Sequence, residues 1–175
     1  MRKYRTDNLV PMFLKAAALR NDMLASGFSD NGGAIHSAER ILDILGLWVK
    51  YPELTHRNGL KLIEAAECSE EAFRARRKGE TVLIEHVSPL RDLTRKAIHA
   101  VEGLDQKAAQ RKLVGFLEKH YRLVLLTPEE TIRLNKENRS KMDPERLKGI
   151  KMRGAPQRRA SKRPGNQTGN QNNQN

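Results

Sequence analysis

The sequence predicts a mainly α fold carrying one small two-stranded antiparallel hairpin, an α+β arrangement in which helices dominate. Three observations predict it. Apolar residues recur at spacings of three and four over most of the chain. Only two short runs, residues 81–85 and 122–126, have the composition of strands without a helical stripe. The second run leads directly into Thr127, Pro128, Glu129 and Glu130, the chemistry of a helix start.

Taken in order, residues 8–26 place Val10, Phe13, Leu14, Ala17, Ala18 and Leu24 at helical spacing. Pro11 fits the first turn and Gly27 supplies the stop. Ser29, Asp30, Asn31, Gly32 and Gly33 are turn formers. The next helix is the clearest: Ile35, Ala38, Ile41, Leu42, Leu45 and Val49 form one stripe, with Glu39, Arg40 and Asp43 outside it. Trp48 closes the stripe as an expected core anchor rather than a base-stacking surface, and Tyr51 with Pro52 ends it. Residues 54–67 read as a third helix through Leu60, Ile63 and Ala66, weakened at Asn58 and Gly59.

Ser69 with Glu70 and Glu71 caps a shorter helix running through Phe73 to Lys78. Its later half carries Arg74, Arg76, Arg77 and Lys78. These read either as a solvated helix end favoured by the helix dipole or as phosphate contacts beside the strand that follows. Gly79 breaks the pattern before the first strand. Two helices then fill the insertion between the strands, one through Leu90, Leu93, Ala97, Val101 and Leu104, the other through Ala109, Leu113, Phe116 and Leu117. After the second strand Thr127 is the N-cap, Pro128 takes the first helical position and Glu130 is the capping-box acid. That helix is polar beyond Ile132 and Leu134, and Thr131, Asn135 and Asn138 share one side of it.

From Lys151 the composition changes. Arg153, Arg158, Arg159, Lys162 and Arg163 occur without an acid, and residues 166–175 are almost wholly Asn, Gln and Gly. Such a stretch buries too little to offset chain entropy and is expected to be a disordered tail. The expected organisation is an N-terminal helical part over residues 1–80, a strand–helix–helix–strand–helix core over 81–150, and the basic tail over 151–175. No internal repeat is visible.

The 175 residues carry 33 Lys and Arg against 21 Asp and Glu, a formal net charge of +12. An excess of that size points to a polyanionic partner, nucleic acid first. Cys68, the one cysteine, allows neither an internal disulfide nor a zinc knuckle and is expected to be buried. The N-terminal stretch lacks the apolar core of a signal peptide, and no window approaches the roughly 20 apolar residues of a membrane span. A cytoplasmic protein without a membrane association is expected.

Glu85, His86, Val87, Ser88 and Pro89 close the first strand with an acid–histidine pair. An imidazole can take a proton from water near neutral pH, and an oxygen-ligated Mg²⁺ needs only one or two protein ligands beside phosphate and water. This string resembles the acid–His–aliphatic–x–Pro signature of HNH or ββα-metal nucleases, in the form seen in endonuclease I-like enzymes. The second strand and its helix, with Leu134, Asn135, Lys136, Glu137, Asn138, Arg139 and Ser140, resemble the other half of that motif. The resemblance implies a degenerate ββα-metal-like core and a metal-dependent endonuclease. It implies His86 as the base, Glu85 and Asn135 as Mg²⁺ ligands with Asn138 as the alternative ligand, and Arg139 as a phosphate clamp.

The expected partner is nucleic acid, DNA ahead of RNA, gripped by Arg74, Arg76, Arg77, Lys78 and Arg122 and by Arg158, Arg159, Lys162 and Arg163 of the tail. Two other readings remain open. One is a basic nucleic-acid-binding protein without chemistry. The other is a mobile-element accessory or inhibitory protein acting through protein contacts.

Overall fold

The computed structural model describes residues 6–137 and 141–153. Its elements run α1 (Thr6–Ala25), α2 (His36–Lys50), a 3₁₀ helix (Arg57–Leu62), α3 (Glu70–Arg77), β1 (Leu83–His86), α4 (Leu90–Val101), α5 (Gln106–His120), β2 (Leu123–Leu126) and α6 (Pro128–Glu137). The fold is mainly helical with one antiparallel hairpin, as the periodicity predicts. Leu83 pairs with Leu126 and His86 with Leu123. No helix among the described residues is long and apolar enough to cross a membrane.

The hairpin is a wall between two apolar clusters. Every residue of β2 is buried, so its side chains, alternating by face, serve both sides. Leu123 and Leu125 join the main core with Phe13, Leu42, Leu45, Leu93, Leu113 and Leu117 from the surrounding helices. Val124 and Leu126 face the other way and meet Leu134 of α6 and Ile150. The outer edge of β2 is also satisfied. Leu125 donates its N–H to the Glu67 carbonyl at 2.9 Å and accepts from Ser69 at 3.1 Å. That segment is covered in turn, with Glu70 donating to Lys151 and Arg153 donating to Cys68. A sheet edge paired in this way offers no template to another chain.

Two local expectations change. Residues 54–67 do not continue as a helix; only the short 3₁₀ turn forms, and Leu62 in it is 87% exposed. With Gly59 in the middle and too few apolar positions to pack, an α-helix there would gain little. The first strand is shifted by two residues from its predicted start, because pairing begins at Leu83 and carries His86 into the ladder. Trp48 and Cys68 are buried as expected. Lys151 and Arg153, expected at the head of the tail, are pinned, and the Arg153 guanidinium lies 3.4 Å from the centre of the Phe73 ring. The residues from 154 onward lie outside the described part.

Candidate functional site

The register decides which side of the hairpin each candidate serves. His86 lies opposite Leu123 and therefore faces α2 and the main core, whereas Glu85 lies opposite Val124 and faces α6. The two neighbours in the acid–histidine pair thus work on opposite faces.

On the α2 face, His86 Nε2 lies 2.9 Å from Asp43 Oδ1. The Tyr121 hydroxyl, carried in just before β2, donates to the same oxygen at 2.6 Å. The Tyr121 ring also meets the imidazole edge-on, with centroids 5.4 Å apart. Asp43 Oδ2 looks outward, toward Arg40 and Arg57, each 3.8 Å away. Burial alone would raise the Asp43 carboxyl, but the hydrogen bond from His86, the charge that imidazole carries when protonated, the Tyr121 hydroxyl and the charge of Arg57 outweigh it. The carboxyl therefore lies below its ordinary value. The Tyr121 phenol is pushed well up by burial and by the carboxylate beside it, so it stays a donor. The side chains of His86 and Asp43 each keep 13% exposure, which leaves the cluster covered but not sealed.

On the α6 face, Arg146 is the centre. It is 6% exposed and donates to the carbonyl of His86, to that of Val87 at 3.2 Å, and to Asn135 Oδ1 at 3.2 Å. Burial lowers the affinity of its guanidinium for the proton, and the charge of Glu85 works the other way. The Glu85 carboxyl is raised by burial against the pull of Arg146, His86 and Arg57. Of the two residues that the resemblance assigns to Mg²⁺, Asn135 is hydrogen-bonded to the Arg146 guanidinium and Glu85 feels its charge. With the Asn135 oxygen turned to a fixed positive charge, this pair does not fit a divalent cation as arranged. Among the described residues no group of three or more His, Cys, Asp and Glu could hold a metal ion.

The remaining candidates scatter. Arg76 donates to the carbonyls of Ile63 and Glu64, and Arg122 is held in a charge-assisted pair with Glu67. Both are committed to internal contacts. Arg77 lies 5.9 Å from the Phe73 ring. Arg74 and Lys78 line a cleft of about 540 Å³ between α3 and the start of α6, where Glu71, Glu80, Glu129 and Glu130 interleave with them. Asn138, Arg139, Arg158, Arg159, Lys162 and Arg163 lie outside the described residues.

Sequence reasoning missed Asp43, Tyr121 and Arg146. Asp43 sits at the edge of the α2 stripe, where an acid reads as a solvent-facing residue. Nothing along the chain announces that Asp43 of α2 meets His86 at the end of β1. Arg146 lies in an irregular charged stretch without a period to place it. No family model, no curated protein and no solved structure matches this chain.

Proposed function

We propose that this chain hydrolyses phosphodiester bonds in nucleic acid, with His86 as the base that takes the proton from the attacking water. The observation that carries this reading is the 2.9 Å contact between His86 Nε2 and Asp43 Oδ1. An ionised carboxylate only accepts, so Nε2 carries the ring proton and the lone pair of the neutral imidazole sits on Nδ1. Water gives its proton to Nδ1 as its oxygen bonds to phosphorus and the bond to the leaving oxygen breaks. Asp43 holds the ring in orientation and stabilises the imidazolium that results. The divalent cation of HNH-like enzymes would offset charge on the phosphoryl oxygens. Glu85 and Asn135 do not fit it as arranged.

The test is cleavage of supercoiled plasmid and of end-labelled RNA, each with Mg²⁺ and with chelator. His86→Ala is expected to lower cleavage by about 10²–10⁴-fold, the usual size of a general-base contribution. Asp43→Asn lowers it as well, because an amide donor facing Nε2 favours the wrong tautomer. Cleavage that survives intact in His86→Ala would sink the reading. A second reading, a nucleic-acid-binding protein without chemistry, is supported by the net charge of +12. It expects salt-sensitive binding and no cleavage by the unaltered chain.

A further inference from the structure

Several arginines of this chain are committed to oxygen partners. Arg20, Arg91, Arg95, Arg122 and Arg146 each donate to an oxygen partner at hydrogen-bonding distance. Arg40 and Arg57 do not: each stands 3.8 Å from Asp43 Oδ2, an ion-pair distance too long for a hydrogen bond. Among the described residues neither has another ion pair. Their side chains are 75% and 44% exposed. They come from separate elements, α2 and the 3₁₀ helix, and converge on the outer oxygen of the carboxylate whose inner oxygen holds His86. Two forked, undirected donors of fixed charge at the rim of a histidine–carboxylate pair are suited to the non-bridging oxygens of a phosphate.

We propose that Arg40 and Arg57 form a phosphate-binding rim beside the Asp43–His86 pair, which holds one phosphodiester group of a nucleic-acid strand at the outer side of Asp43, next to the imidazole's own site. The inference deepens the hydrolysis reading and rests on it for the identity of the anion. Its two guanidiniums turn outward from Asp43 Oδ2 when phosphate arrives, since that contact holds them only loosely. Arg40 and Arg57 are binding residues here, and the base remains His86.

Two measurements test it. In the first, inorganic phosphate is added to the unaltered chain while the His86 ring protons are followed by NMR. Their resonances are expected to shift, and to stop shifting in the Arg40→Gln/Arg57→Gln double variant; unmoved resonances in the unaltered chain overturn the proposal. In the second, a fluorescein-labelled oligonucleotide is titrated in the His86→Ala background, where cleavage plays no part. The double variant is expected to lose about tenfold or more in affinity, as two charge-assisted hydrogen bonds imply. Its salt dependence should become shallower by about 0.7 in logarithmic slope for each phosphate of the strand no longer neutralised.

The comparison is Arg74→Gln/Lys78→Gln on α3, which removes the same charge elsewhere and is expected to cost much less. Equal losses in the two pairs would mean a diffuse basic surface and overturn the rim. Arg57→Lys keeps the charge and loses the fork, and it should fall between the parent and Arg57→Gln; a loss as full as that of Arg57→Gln counts against the rim. Failure of the unaltered chain to cleave would overturn the hydrolysis reading while leaving these binding results standing. Cleavage with unchanged affinity in the double variant would do the reverse.

Discussion

At Gly46, in the middle of α2, an added Cβ would fall 2.1 Å from the Tyr121 ring. This glycine is there for space rather than for backbone freedom. In an exposed helix Gly→Ala stabilises by about 1 kcal/mol through propensity alone. Here the ring that donates to Asp43 would have to move, and overpacking of that kind costs about 1–3 kcal/mol. Gly46→Ala is therefore expected to lower the urea midpoint. On the proposed hydrolysis it is also expected to weaken cleavage, because a displaced Tyr121 leaves Asp43 held by fewer partners. A variant more stable than the parent would show that the ring can step aside freely. Arg146 makes a related point: a single buried guanidinium replaces what would otherwise be a set of unpaired carbonyls at the end of β1.

Among the elements, α6 shows how a local signal becomes a tertiary joint. Thr127 and Glu130 make the reciprocal bonds of a capping box, Thr127 N–H to Glu130 Oε2 at 3.0 Å and Glu130 N–H to Thr127 Oγ1 at 3.2 Å. The same Glu130 oxygen accepts from the Ser69 hydroxyl at 2.5 Å, and Ser69 itself caps α3. One carboxylate thus fastens the starts of two helices. Thr127→Ala should cost about 1 kcal/mol, the ordinary worth of an N-cap. Glu130→Ala should cost about 2 kcal/mol or more, since it strands a buried hydroxyl and a backbone donor together. Chemical denaturation of both variants checks the order, and equal losses would mean that the link to Ser69 adds nothing.

Over the whole molecule, Asp30 ties the helical layer together. It is 6% exposed and accepts from Arg20 of α1 at 2.7 and 2.8 Å and from Arg95 of α4 at 2.7 Å. The Arg20 hydrogen bond, against the cost of burial and with help from Arg95, holds its carboxyl down at about 2. The folded value lies below the ordinary 3.8. The linkage therefore stabilises the fold fully above about pH 4 and is lost as pH falls toward 2. A shift of that size corresponds to about 2 kcal/mol. Asp30→Asn is expected to remove that part of the acid sensitivity and to lower stability at neutral pH; an unchanged acid transition in the variant would refute the assignment. The net charge of +12 acts at the same scale, and the proposed nucleic-acid affinity should fall steeply and linearly on a log–log plot against salt.

What the sequence by itself determined is the element content: helical stripes, two short apolar runs and one capping box, all set by interactions within a few residues along the chain. It also brought His86 to attention, through its place beside Glu85 at the end of an apolar run. The tertiary structure decided the partners. Consecutive strand residues face opposite sides, so Glu85 and His86 part in any register; which of them meets α6 was decided by the pairing of His86 with Leu123, which turns it toward α2 and Asp43. That Arg146 bonds Asn135 depends on a segment folding back after α6. Contacts of this kind join residues 11 to 60 positions apart, and no periodicity along the chain encodes them.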